Sequence, residues 1–175
     1  MHSGTCTASI TARTAPLNHP NGATAYRIEH AGRSVCYVTD TEHVPGRPDE
    51  NVLELIAGAD VVIAFTKPGP DTIRPEWLRA MTPRGVGLFM ANPVPEIWPW
   101  EAKAAGAAIV ATGRSDFPNQ VNNSLGFPGI FRGTLDVRAR TITDDMCFAA
   151  AQAMADHVGK NLGEDQILPN MDDWE

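Results

Sequence analysis

No run of basic residues occurs in this 175-residue sequence: fourteen Lys and Arg are scattered among twenty-one Asp and Glu, for a formal charge of −7. A phosphate backbone is neutralised by a contiguous stripe of positive charge, so nucleic acid is not an expected partner. Long apolar runs are also missing. A membrane helix needs roughly 20 consecutive apolar residues, and the N-terminal MHSGTCTASI has neither a basic segment nor an apolar one behind it. The expectation is therefore no membrane association and a cytoplasmic location. Cysteine is scarce, and Cys6, Cys36 and Cys147 stand far apart. They make neither a disulfide framework nor a CxxC metal knuckle, which leaves reduced core thiols. What remains is an ordinary globular composition, 43% apolar and 20% charged, in a chain long enough to bury one core.

The pattern changes character near Gly58. Up to Asp40 the pattern is β: Ala8, Ile10 and Ala12 alternate with polar residues, and residues 25–29 and 34–38 flank His30-Ala31-Gly32-Arg33, which predicts an antiparallel hairpin. Pro45-Gly46-Arg47-Pro48 reads as a loop, Asp49 as a helix cap, Val52, Leu53 and Ile56 as one helical face, and Gly58 as the stop. From there strands and helices alternate: strands at 60–65, 86–91 and 107–112, with helices at 75–81 and 100–105 between them. The strands are continuous apolar runs, as expected for parallel strands covered on both faces. A loop at 113–119 leads to a helix interrupted by Pro128-Gly129, and then to one over 143–157 with Thr143 as its cap and Asp144 and Asp145 in its first turn. The fold class is α/β: a Rossmann-like partial parallel sheet with helices, extended by an antiparallel β-hairpin region.

Ligands of open parallel sheets sit outside the carboxyl ends of the strands. The loops there read TKPGP from Thr66, NPVPE from Asn92, and GRSDFPNQVNN from Gly113 to Asn123. Their amides offer uncharged donors and acceptors suited to carboxylate, hydroxyl and carboxamide groups, which makes a small carboxylate a fitting ligand. By spacing alone, the plainer reading is that these Asn residues cap helices and shape turns.

The segments GADVVIAFTKPGPDTIRPEWLRAM, ANPVPEI, AAGAAIVATGRSDFPNQVNNSLGFPGIFRGTLDVRA and ILPNMDDWE resemble, in order and spacing, the carboxyl-side half of bacterial malic enzymes, over about residues 58–175. That resemblance implies a Rossmann-like NAD- or NADP-binding domain from enzymes that oxidise malate and decarboxylate it to pyruvate with Mg²⁺ or Mn²⁺. By motif, Asn92 falls beside the nicotinamide and substrate, Asn123 on malate, and Asn122 is its neighbour. The family's GxGxxG turn is not found; Gly85-Val86-Gly87 precedes its strand, and position 90 is Met. The upstream catalytic Tyr and Lys and the acidic metal cluster are absent as well. No catalytic residue is assigned, and activity of the chain by itself is not expected.

Residues 15–29 and 35–43, APLNHPNGATAYRIE and VCYVTDTEH, resemble the middle of a metallo-β-lactamase-fold hydrolase, over about residues 5–64. The resemblance implies vestigial metal ligands at His19 and Asp40, with Glu42 and His43 as nearby donors, but the HxHxDH motif that supplies most ligands in that family is missing. His2, His30 and His157 carry no spacing signal. The two resemblances meet near Gly58, so the chain reads as a chimera: a partial hydrolase-like β region over 1–58 and a malic-enzyme-like half domain over 59–175. Three functions follow as alternatives: a malic-enzyme-related oxidoreductase fragment, a non-catalytic binding or assembly module, and a metal-dependent hydrolase. A sheet deprived of its first strands leaves an edge beside strand 60–65 that either the hairpin over 25–38 covers, giving a mixed sheet, or a second chain pairs with, and self-association along that edge is the expectation.

Overall fold

The computed structural model describes residues 9–42, 49–171 and 173, and the chain forms two compact units that divide after Val110. Ala8, Cys6, His2, His43 and the loop at 45–48 lie outside the described residues. Six strands form one mixed sheet whose spatial order follows the sequence: β1 (Thr11–Leu17), β2 (Ala23–His30), β3 (Arg33–Thr39), β4 (Val61–Phe65), β5 (Val86–Phe89) and β6 (Ile109–Thr112). The pairs β1–β2 and β2–β3 are antiparallel, whereas β3–β4 and β4–β5 are parallel. The α/β reading, with a hairpin region extending a parallel sheet, describes this architecture.

The β2–β3 turn places Ala31 at φ 50° and Gly32 at φ 74°. Two consecutive left-handed residues follow the right-handed twist of the flanking strands, so the two-residue connection closes without splaying them. β3 then pairs along the whole of β4, from Val35 opposite Val61 to Thr39 opposite Phe65. This overturns the expectation of an unpaired edge beside β4. The reason lies in the seam between the hairpin and β4. Asp60 accepts the Ser34 backbone N–H at 2.8 Å, bonds the Ser34 hydroxyl at 3.3 Å and pairs with Arg33 at 3.1 Å. Gly58, at φ 66°, and the change of character at 58/59 therefore lie inside the first compact unit.

Two polar anchors tie helix α1 (Glu50–Ile56) to the hairpin region. The nearly buried carboxylate of Asp49 caps α1 through the Asn51 N–H, and also accepts the Asn18 N–H at 2.9 Å and the Thr41 hydroxyl at 3.2 Å. At the other end, the buried guanidinium of Arg27 donates to the carbonyls of Leu55, Ala57 and Gly58 and pairs with Glu29. Carbonyls left over at a helix C-terminus are satisfied in this way by a strand side chain.

Helices α2 (Pro75–Arg79) and α3 (Pro99–Ala104) follow β4 and β5. Val52 and Ile56 of α1 and Trp77 and Leu78 of α2 share one core with Ala25, Cys36, Val38, Val62, Ala64 and Phe89 of the sheet. The alternate residues of the same strands form the second face. There Ile28, Val35, Val61 and Val86 line up across four strands, as do Tyr26, Tyr37, Ile63 and Leu88. Tyr26, Ile28, Val35, Tyr37 and Phe65 on this face are exposed. The expectation of two covered faces is thus not met in the first unit, whose core lies on one face. Successive strands step in one direction across the sheet, and right-handed crossovers of that kind deliver every connecting helix to the same side.

In the second unit, a single 3-10 turn (Asn123–Leu125) leads into α4 (Phe127–Asp136), and α5 (Asp144–Val158) follows. Pro128 does not interrupt α4, contrary to the expectation from the sequence. It sits in the first turn, where the missing N–H has no helical partner to lose and the fixed φ suits the helix. Thr143 caps α5 by accepting the Met146 N–H, with Asp144 and Asp145 in the first turn as expected. Cys36 is buried and its thiol is pushed up to about 11 by burial, in keeping with an inert core thiol. Cys147 departs from that expectation, because it lies on an exposed face of α5.

Candidate functional site

The loops leaving β4 and β5 are fastened to each other by one side chain. Glu96 is fully buried, and one of its carboxylate oxygens accepts the Thr66 N–H at 2.9 Å and the Thr66 hydroxyl at 3.3 Å. The other oxygen accepts the Ala91 N–H at 3.0 Å. Backbone bonds from Ile73 to the Glu96 carbonyl and from Gly69 to the Val94 carbonyl continue the zip. Burial pushes the Glu96 carboxyl above its usual range, while the backbone donors at Thr66 and Ala91 act against that shift. A buried carboxylate facing several N–H groups is a rigid organiser, because each donor loses its partner if the group moves. Glu96 was read in the sequence only as part of the Asn-Pro-Val-Pro-Glu loop. Its place five residues beyond Ala91, after a buried strand, was the signal available.

Asn92 stands exposed at the carboxyl end of β5, directly after Ala91 and at a cis bond to Pro93. The amide is thus held beside an anchored backbone while its side chain faces outward. Lys67 and Gly69 occupy the neighbouring β4 loop, where the Thr72 hydroxyl binds both of their carbonyls.

In the second unit the loop after β6 is built by amides. The Asn122 side chain donates to the Gly113 carbonyl at 3.0 Å and accepts the Ser124 N–H at 3.0 Å. It is therefore the cap of the 3-10 turn, which is the plainer of the two readings. Asn123, the next residue, is exposed. Asn119, not singled out in the sequence, is buried and joins the loop to the C-terminal segment by bonding the Glu164 carbonyl at 2.7 Å and the Ile167 N–H at 2.9 Å. Phe117, Gln120, Gln166 and Asn170 line a pocket of about 580 Å³ between these two stretches. Asn92 belongs to the first unit and Asn122 and Asn123 to the second.

Among the described residues, those read as metal ligands do not gather into a metal centre. The Nδ1 of His19 accepts the Asn21 N–H at 3.2 Å, and the exposed Asp40 carboxylate takes the Thr39 hydroxyl at 2.5 Å. The Glu42 backbone is bonded to Asn18, and His43 lies outside the described residues. Among the described residues no three His, Cys, Asp or Glu side chains gather around a common point, whereas a structural or catalytic zinc needs three or four protein ligands.

The glycines Gly85 and Gly87 serve packing. A Cβ on Gly87 would lie 2.5 Å from the Phe89 ring, and one on Gly85 would lie 2.8 Å from Met81. They admit core side chains rather than a pyrophosphate. Among the described residues no helix is long and apolar enough to cross a membrane.

Residues 103–175 match the family described as "Malic enzyme, NAD binding domain". The bifunctional malic/malolactic enzyme of Bacillus subtilis is 47% identical over 124 residues, covering 70% of this chain and 30% of that protein. An NADP-dependent malic enzyme of Rhizobium meliloti is 50% identical over 64% of this chain and 15% of its own length. Among solved structures, the malic enzyme of Pyrococcus horikoshii superposes with a TM-score of 0.66 at 59% identity, over 68% of this chain and 27% of that one. The chain thus spans less than a third of each of these relatives, and roughly two thirds of its own length is similar to them.

Proposed function

We propose that residues 59–175 are the carboxyl-side half of a malic-enzyme NAD(P)-binding domain, with Asn92 directed at the nicotinamide and substrate and Asn123 at a small carboxylate such as malate. The observation that carries this reading is the exposed Asn92 amide at the carboxyl end of a parallel strand, on a loop anchored by buried Glu96. Asn122 acts next to Asn123 as the cap that holds the turn in shape. The residues present fit the nicotinamide end of a dinucleotide. They do not fit its pyrophosphate, for which Gly85 and Gly87 leave no room beside Met81 and Phe89. When bound, the cofactor would supply hydride chemistry. This chain's contribution is to present an uncharged donor–acceptor pair to a carboxamide or carboxylate.

Residues 1–58 belong in this proposal to a β region of hydrolase-like ancestry, joined at Gly58 and retained for its packing rather than for metal chemistry. A reducing cytoplasmic setting suits the free thiols of Cys36 and Cys147. The Mg²⁺ or Mn²⁺ of complete malic enzymes has no ligand cluster among the described residues. In this proposal the chain is not competent in catalysis by itself.

Two measurements test this. NADH fluorescence and anisotropy should report weak cofactor binding that Asn92→Ala abolishes, and silence up to millimolar NADH and NADPH would sink the assignment of Asn92. Malate with Mn²⁺ and either cofactor should give no turnover approaching the roughly 10 s⁻¹ of ordinary enzymes. A rate within about a hundredfold of that value would overturn the reading of an incomplete site.

A further inference from the structure

Strands β4 and β5 keep one register past their paired ends. Ala64 lies opposite Phe89 within the sheet. Beyond that pair the Thr66 and Ala91 N–H groups are held by the two oxygens of Glu96, and farther out the Gly69 N–H bonds the Val94 carbonyl at 3.3 Å. Between those two clamps stand Lys67 and Asn92. Each follows directly on an N–H bound to the same carboxylate, and each is exposed. Neighbouring strands run about 4.8 Å apart, so an ammonium and an amide set side by side in this way reach one small molecule. The Lys67 backbone is fixed as well, because its carbonyl accepts the Thr72 hydroxyl at 3.3 Å.

We infer that Lys67 is the carboxylate-binding residue of this strand end, and that its ligand is a small carboxylate with a hydroxyl or carbonyl next to the charged group. Lys67 takes the carboxylate, and the Asn92 amide takes the neutral oxygen. The inference rests on the role proposed for Asn92 and adds to it the charge that selects the ligand. An uncharged amide binds carboxylate, carboxamide and hydroxyl groups alike, so Asn92 alone does not discriminate among them. The chain carries a net charge of −7 and repels anions over most of its surface, so a small carboxylate settles only beside a local cation. Arg13, Arg27, Arg33 and Arg74 of the first unit each pair with a carboxylate of the chain. Among the described residues no carboxylate pairs with Lys67. Its ammonium is therefore available to a ligand, which it meets as a point charge. Because Lys67 is exposed, solvent screens that contact, and its contribution to affinity is about fivefold.

Nuclear magnetic resonance of the nitrogen-labelled chain tests it, with the Asn92 side-chain amide signal as a local readout. The probes are malate and its uncharged diamide. Malate should move the Asn92 signal in the wild type, with an affinity that falls as salt is raised. Lys67→Met should weaken malate about fivefold and remove most of that salt dependence, while the response to the diamide stays unchanged. Lys67→Arg keeps the charge and should bring malate back to within about twofold of the wild type. Melting curves that match the wild type confirm that neither substitution disturbs the fold. Equal malate affinity in the wild type and Lys67→Met would overturn the inference and leave the Asn92 assignment standing. So would an equal loss of malate and diamide. Malate that leaves the Asn92 signal unmoved in the wild type would also overturn it, and NADH titrated against the same signal then shows whether the Asn92 assignment falls with it.

Discussion

The Oδ2 of Asp60 accepts the backbone N–H of Ser34 at 2.8 Å, and this bond joins the hairpin to the first strand of the parallel sheet. Asp60 opens the segment that resembles malic enzyme, whereas Ser34 belongs to the stretch of different character. The seam therefore rests on local chemistry that neither resemblance describes. It explains why β3 could occupy an edge that would otherwise stay open, and why the compact unit runs through Gly58 without a break.

Asp60→Asn should weaken that seam with a recognisable pH signature. The Ser34 backbone N–H, then Arg33 and the Ser34 hydroxyl, hold the Asp60 carboxyl below its ordinary value of 3.8. A depressed folded-state value contributes stability that is present above the ordinary value and lost as pH falls through the depressed one. Melting midpoints from neutral pH down to pH 2 should thus fall less steeply in the variant below pH 3.8, with a loss of about 1 kcal/mol at neutral pH. Parallel acid limbs in the two proteins would mean that the seam contributes nothing.

Arg27→Met should cost about 3 kcal/mol, because it strips the donors from the buried carbonyl of Leu55 and from the carbonyls of Ala57 and Gly58, and removes the partner of Glu29. Arg27→Lys should recover only part of that loss, since a single ammonium cannot reach the spread that a planar guanidinium spans. Urea unfolding midpoints of the three proteins give the comparison. Equal midpoints for Arg27→Lys and the wild type would contradict it.

The elements of this fold were largely legible in the sequence because periodicity and punctuation act locally. The Ala31-Gly32 turn, the Asp49 and Thr143 caps and the apolar strand at 61–65 all follow from residues within one element. The edge between β3 and β4 was not legible, since its seam bonds join residues 26 positions apart. The helix expected to break at Pro128-Gly129 failed for a different reason: a proline in the first turn reads like a breaker until the preceding 3-10 turn is known. At the site, Asn92 and the Asn122-Asn123 pair were visible as amides at strand ends. Glu96 and Asn119 were not, because what distinguishes them is burial with partners 30 and 45 positions away. His19 and Asp40 carried a resemblance whose remaining ligands the described residues do not supply.

Glu96→Gln should destabilise the first unit, and the size of the effect should depend on pH. The amide would set a donor against the N–H of either Ala91 or Thr66, at a cost of about 1–3 kcal/mol. Burial raises the Glu96 carboxyl above its ordinary value of 4.5. Its contribution is therefore full below pH 4.5 and declines as pH rises through the raised value, the opposite sense to Asp60. Glutamine does not titrate, so the stability gap between the wild type and the variant should narrow as pH climbs from 4.5 towards neutrality. Chemical unfolding at a series of pH values measures the gap, and a gap that widens with pH would refute the buried, raised carboxyl.

The adjacent amides of the second unit should separate cleanly into a structural residue and a binding residue. Asn122 uses both ends of its side chain within the fold, on the Gly113 carbonyl and the Ser124 N–H. Asn122→Ala should therefore cost about 1 kcal/mol, as the loss of an N-terminal cap commonly does. Asn123 is exposed, and Asn123→Ala should leave stability within about 0.5 kcal/mol of the wild type. If Asn123 meets a small carboxylate, its substitution should remove whatever protection malate gives against thermal unfolding, because a ligand stabilises in proportion to its occupancy of the folded state. Asn122→Ala should lower the starting melting point yet keep a malate-dependent rise. The informative comparison is thus the shift produced by malate in each variant rather than the melting point itself. A malate shift that survives Asn123→Ala and vanishes with Asn122→Ala would exchange the two roles.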